Sequence, residues 1–293
     1  MTGEGRGAPV HASAAGARED LRRHTRRQPR SGWDSIELRT LWQYRELLVF
    51  YAIRDIKVRY KQTSLGALWA VLQPVMTMLV FSIFFGKLAG IPSDGKAYPI
   101  YTFCALLPWQ LFSYALTQSS NCLIQDAQVL RRVYFPRLIL PFASVMAGLL
   151  DFIIAFAVFV VLMVGYGMTP GWALVVLPVL VVSTIAASLA AGLWLSALNV
   201  RYRDVRYTIP FLVQLWLFAT PIAYSSSAVP ESWRALYGLN PMVGVVDGFR
   251  WVLLDGPQPP LPAIAMSTAV TAALFVGGLF YFKRMERSFA DIV

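Results

Sequence analysis

The chain has 293 residues, of which 57% are hydrophobic and 14% charged, with a mean hydropathy of +0.54. Soluble domains of this size carry roughly a quarter charged residues and slightly under half apolar ones, so a water-soluble enzyme is excluded. The net charge of +10 does not imply nucleic acid: 13 of the 26 Lys and Arg lie in residues 1–65, and the rest gather at expected helix ends, where membrane orientation requires them.

Charge placement fixes the class. Leu65–Gly86, Ala97–Gln125, Phe152–Val200, Tyr207–Pro230 and Gly256–Phe282 contain no charged residue, and run to 22, 29, 49, 24 and 27 positions. One helical crossing of a bilayer needs about 20 mainly apolar residues. None of these windows alternates apolar and polar positions at period two, as porin-type barrels do. The expected fold is therefore an all-α polytopic membrane protein.

Residues 1–32 hold seven arginines, five glycines and few large aliphatic residues, too little apolar surface to order a chain. They read as a disordered Arg-rich cytoplasmic tail. The Arg22-Arg23 and Arg26-Arg27 pairs lack the short apolar stretch and cleavage site of an export signal. Residues 33–64 read as an amphipathic interface helix. Trp42, Val49, Ile53, Ile56 and Tyr60 recur at the helical period, beside a basic stripe of Arg54, Lys57 and Lys61. Such a helix rests comfortably in the headgroup plane.

The remainder, 65–293, reads as six spans at about 65–88, 98–119, 138–164, 173–198, 208–224 and 263–282. Gly165 to Gly171 breaks the 49-residue window in two, because its glycine and proline density stops a helix. Twenty-two of the 26 basic residues then fall on one side and four on the other, which puts both termini in the cytoplasm. Cys104 and Cys122 lie on one expected helix about 27 Å apart, too far for a disulfide.

Between the last two spans, Pro230-Glu231-Ser232-Trp233 starts one short helix and Asn240-Pro241 caps a second, which runs to about Leu254. The pair reads either as a re-entrant hairpin, tolerated where protein or water covers its turn, or as two helices lying flat on the outer surface.

Four further features carry chemistry of their own. Gly90 to Ala97 nearly spells a phosphate loop, but Ala97 stands where a magnesium-holding hydroxyl is needed, and no strand precedes it. Asp151, in the third span, must face protein or water; no second intramembrane acid or histidine offers it a proton relay, so structural hydrogen bonding is expected. Gln125 to Arg132 reads as a short helix. It is either a plain basic loop or a docking element with Val129 and Leu130 as an apolar knob. The 40 aromatic residues suit an interfacial belt, and also a route for glycans, because aromatic faces stack on sugar rings.

Lys57 to Trp69 followed by Leu72-Gln73-Pro74, then Arg132-Val133-Tyr134-Phe135-Pro136-Arg137, then Leu239-Asn240-Pro241-Met242 through Gly248-Phe249-Arg250, resemble three blocks of the ABC type-2 permease family. The resemblance is to the membrane subunits that export O-antigen, teichoic acid and capsular polysaccharide, and it covers about Leu41 to Arg287. It implies the channel-forming subunit of an ATP-driven exporter in a bacterial cytoplasmic (inner) membrane. It implies a homodimer bound to two copies of a separate ABC ATPase, which holds the ATP and magnesium; this chain itself would bind no cofactor and no nucleic acid. The resemblance makes Gln125, Asp126, Val129, Leu130, Arg131 and Arg132 a coupling helix. It makes Arg54, Lys57, Arg59, Tyr60 and Lys61 the place where a lipid-linked glycan brings in its diphosphate. Trp69, Gln73 and Pro74 are expected at the channel, with Pro74 kinking the first span. Trp233, Tyr237, Asn240, Pro241, Gly244 and Phe249 are expected in an extracellular gate. Drug efflux by a permease of the same family, a proton-coupled carrier, and a membrane-embedded transferase are the rival readings.

Overall fold

The computed structural model describes residues 42–61, 66, 68–133, 135–169, 171–202, 204–259 and 261–292, all within one compact unit, Leu38–Val293. The expected tail and the first part of the expected interface helix lie outside the described residues. Among those described, no strand occurs. The α-helices are α1 (Arg45–Lys61), α2 (Leu68–Phe81), α3 (Tyr98–Gln125), α4 (Ala127–Arg132), α5 (Ile139–Gly165), α6 (Leu177–Arg201), α7 (Val205–Ala219), α8 (Glu231–Tyr237), α9 (Pro241–Leu254) and α10 (Leu261–Ile292).

Among the described residues, four helical segments are long and apolar enough to cross a bilayer: Leu68–Leu88, Ile139–Gly165, Trp172–Arg201 and Pro262–Glu286. The expected count of six rests on two further helices with different physics. Helix α3 is long enough at 28 residues, but polar side chains dilute its apolar character. It can carry them because it is the central helix, packed on α5 and α6. Helix α7 has 15 residues, about 22 Å against a hydrocarbon core of about 30 Å.

Lipid is as apolar as a leucine side chain, so helices associate in a bilayer through close packing and hydrogen bonds. Both devices are present. At Gly192 of α6 an added Cβ would stand 2.0 Å from the Ser119 hydroxyl of α3. Gly277 and Gly278 of α10 make room for Trp194, whose Nε1 donates to the Leu274 carbonyl at 2.9 Å and whose ring stacks on Tyr281. Asn199 of α6 donates to the Ser120 carbonyl at 2.9 Å and to Asn121 Oδ1 at 3.0 Å. Ring contacts Phe103–Phe159 and Phe112–Trp216 join α3 to α5 and α7.

Two local departures from simple periodicity matter. Helix α2 continues through the buried Pro74 and changes to π-helix only at Ser82–Leu88, eight residues beyond the expected kink. Helix α1 docks on α5 through a face the apolar pattern marks only in part. Tyr51 and Ala52 are buried, and Ile56 and Tyr60 of the expected apolar face are half-buried, whereas Trp42, Val49 and Ile53 of that face are exposed, Trp42 at 71%.

Candidate functional site

Helix α3 is buried nearly all round, apart from one stripe. Gln110, Ser113, Tyr114, Thr117, Gln118 and Asn121 are half-exposed, and their spacing of three or four residues puts them on one face. The part of this stripe from Gln110 to Gln118 forms one wall of a cavity of about 330 Å³, at the small end of the ~300–1,000 Å³ usual for ligand sites. Trp69, Gln73 and Pro74 of α2 face it, with Asp151 and Phe152 of α5, Pro210 and Val213 of α7, and Arg59 of α1.

The hydroxyls of the stripe bond back to their own helix: Ser113 to the Gln110 carbonyl and Thr117 to the Ser113 carbonyl. The amides of Gln110 and Gln118 carry no hydrogen bond among the described residues and can serve a ligand. The ring of Trp69, half-exposed one turn from Gln73, adds a stacking surface. Amides, hydroxyls and an aromatic face are the equipment for binding sugars.

The five residues expected to meet a diphosphate divide into two groups. Lys57 and Lys61 are exposed, with no ion pair among the described residues, and are not among the residues lining the cavity. Arg54, Arg59 and Tyr60 turn inward. Arg54 donates to Asp55 at 2.8 Å and grips both oxygens of Asp126, at 2.7 and 2.8 Å. It also stacks over the Tyr51 ring. Burial works against the Arg54 charge, but the hydrogen bonds it donates to Asp126 and Asp55 outweigh it and raise its pKa further. Burial raises the Asp55 carboxyl above its ordinary value, an effect Arg54 offsets only in part. Arg54 is thus committed to carboxylates at the α3–α4 junction. Arg59 reaches Asp151 at 2.5 Å and lies 4.2 Å over the Tyr114 ring, while Tyr60 donates to the same carboxylate. Asp151 is therefore satisfied, but from α1 rather than from another helix of the bundle.

The expected coupling stretch also has a different internal division. Gln125 is the last residue of α3, Asp126 is the joint, and α4 begins at Ala127. Val129 and Leu130 are half-buried. The exposed surface belongs to Gln125, Gln128, Arg131, Arg132 and Val133, the last 56% exposed.

At the opposite end of the bundle the expected gate residues cluster around α8 and α9. Asn240 caps α9, its side chain accepting from the Met242 amide and from Trp216 Nε1 at 2.9 Å. Twelve of the 14 residues of α9 are buried against α3, α6 and α10; a helix laid on a surface would keep one open face. Gly244 permits this, since a Cβ there would stand 2.5 Å from Ser267 Oγ. Phe249 meets Phe152 edge-on, so α9 touches the wall of the cavity. Tyr237 donates to the Tyr224 hydroxyl at 2.9 Å, and Trp233 is exposed.

Residues not singled out from sequence pin this end. Arg250 is buried, donating to the carbonyls of Tyr224 and Ile222 at 3.2 and 3.1 Å and lying 3.8 Å over the Tyr101 ring. Ser226 donates to Asp247, and Tyr101 and Ser225 donate to Asp94. Asp94 sits in the near-phosphate-loop sequence, which forms a turn with positive φ at Gly90, Asp94 and Gly95. A carboxylate in that turn suits hydroxyl donors and repels phosphate. Among the described residues no cluster of His, Cys, Asp or Glu could hold a metal ion.

The model of the "ABC-2 type transporter" family matches residues 46–254. The chain is 32% identical over 260 residues to the O-antigen export system permease protein RfbA of Myxococcus xanthus, covering 87% of this chain and 98% of that protein. It is 28% identical over 249 residues to a Klebsiella pneumoniae protein of the same name, covering 85% and 95%. To the polysialic acid transport protein KpsM of Escherichia coli it is 25% identical over 242 residues, covering 80% and 92%.

Proposed function

This chain belongs to the ABC-2 type transporter family, and from that premise we propose that it is the channel-forming permease of an ATP-driven exporter of lipid-linked polysaccharide. The observation that carries the reading is the polar stripe of α3 with Trp69 and Gln73 opposite, a sugar-compatible wall inside an otherwise apolar bundle. The names of the relatives agree, since they are O-antigen and polysialic acid permeases.

Six crossings follow if α3 and α7 both span, α3 shielded by its neighbours and α7 shortened beside the hairpin. Both termini then lie in the cytoplasm of a bacterial cell, in its inner membrane. One copy offers a half-exposed groove, and a second copy facing it makes a conduit. The ATPase, a separate subunit, docks on Gln128, Arg131, Arg132 and Val133 of the α4 end. Its motion passes through the Asp126 joint to α3, whose stripe guides the glycan. The hairpin enters the membrane from the outer side and closes the path until α9 shifts against α10.

The test is reconstitution of the chain with its ABC ATPase in proteoliposomes containing a lipid-linked glycan. Translocation is expected only with hydrolysable ATP. Transport by the chain alone, driven by an ion gradient, would overturn the reading and favour a proton-coupled carrier.

A further inference from the structure

Asp151 stands near the middle of α5, an apolar 27-residue helix. A carboxylate at such depth is unfavourable by about 2.5–3.5 kcal/mol on insertion scales, so it persists only with partners. Those partners, Arg59 and Tyr60, come from α1. The ion pair is not sealed: the side chains of Arg59 and Asp151 remain 33% and 20% exposed, and both line the cavity. Arg54 faces the α3–α4 joint and has two carboxylates, whereas Arg59 has one carboxylate, an aromatic ring and an opening toward the groove. It is the arginine placed to exchange its anion for a ligand.

We propose that Asp151 and Arg59 form a displaceable latch. Asp151 occupies the guanidinium until an anionic group of the transported molecule takes its place, and so sets the selectivity of the groove for anions. Two features let the exchange run. Tyr114, 4.2 Å beneath the guanidinium, holds Arg59 in position while its anion changes, a stacking role an arginine suits. Tyr60 keeps a hydrogen bond on Asp151 after Arg59 leaves it. Exchange of one anion for another keeps the Arg59 guanidinium paired throughout, since a buried cation without a partner would be the costly state. It leaves the displaced Asp151 carboxylate to the Tyr60 hydroxyl and the opening of the groove. A guanidinium fork takes phosphate and carboxylate alike, so the ligand group is either the diphosphate of the lipid carrier or the carboxylate of an acidic sugar. The proposal rests on the export function proposed above.

The test uses the whole exporter complex in nanodiscs and reads ATP hydrolysis against two probes, a sugar-free polyprenyl diphosphate and an oligomer of an acidic sugar. One of them is expected to stimulate the wild type, which identifies the source of the anion. Asp151→Asn removes the competitor, so the half-saturating concentration is expected to fall by about tenfold. Asp151→Glu keeps the competitor and is expected to match the wild type. Arg59→Gln should abolish the response, and Arg59→Gln with Asp151→Asn should look the same. An unchanged or higher half-saturation in Asp151→Asn means the pair is only structural and overturns the latch. If Asp151→Asn does not assemble, Tyr60→Phe reads the same step. Without the phenol the displaced carboxylate loses its donor, so half-saturation should rise several-fold, and no change overturns the latch. A wild type that answers neither probe contradicts the proposed substrate class itself, a failure distinct from that of the latch.

Discussion

Neutralising the Arg54–Asp126 pair probes how motion at α4 reaches the groove. The guanidinium grips both carboxylate oxygens, at 2.7 and 2.8 Å, with the side chains 32% and 14% exposed. Exposed pairs contribute about 0.2–1 kcal/mol, and breaking a buried pair is unfavourable by about 3–5 kcal/mol. A bidentate pair partly open to solvent falls between, at about 1–2 kcal/mol, which is a factor of about 5–30. Arg54→Gln, Asp126→Asn and the double variant are to be compared in the reconstituted complex by glycan exported per ATP hydrolysed. Each single variant is expected to lower that ratio, and the double no further than the worse single. Arg54→Lys keeps the charge without the fork and should fall between. Losses that add to within about 0.5 kcal/mol would show the residues to be independent, and the account of the α3–α4 joint would be wrong.

Two other expectations come from close contacts. An added Cβ at Gly148 would stand 2.6 Å from Tyr114 Cδ1, so Gly148→Leu should drive the ring into the groove. The expected result is an overpacking loss of about 1–3 kcal/mol in thermal unfolding, together with blocked export. Arg250→Lys removes the fork that serves the Ile222 and Tyr224 carbonyls. Leaving those acceptors unpaired should be unfavourable by about 1–3 kcal/mol, read as a lower melting temperature and faster proteolysis near the hairpin.

Hydropathy reveals the helices whose surroundings match their sequence. Asn240-Pro241 announces the start of α9 because capping is local chemistry, and Gly165 to Gly171 marks the break between α5 and the following span for the same reason. The stripe Gln110, Ser113, Tyr114, Thr117, Gln118 and Asn121 was also legible, as a polar face at helical period within an uncharged window. It is the signal that would have located the groove. The partners of Arg54 and Arg59 were not legible, because they stand 72 and 92 residues away and no periodicity links α1 to α3 or α5. The expected apolar face of α1 is only partly its docked face. Exposed Trp42, Val49 and Ile53 suit a helix resting in the headgroup plane, while the docked face carries Arg54 and Arg59 beside Ile56 and Tyr60. Asp247 and Arg250 lie three residues apart on the expected second hairpin helix, but their partners, Ser226 and the Ile222 and Tyr224 carbonyls, come from a preceding segment that no local pattern links to them.

The proposed export route carries glycan along the α3 stripe. A photo-reactive side chain at Gln118, with a control at the exposed Val161 of α5, tests it during turnover of the reconstituted exporter with labelled lipid-linked glycan. ATP-dependent adducts of glycan are expected at 118 and lipid adducts alone at 161. Equal glycan capture at both positions, or none at 118 while export proceeds, would contradict it.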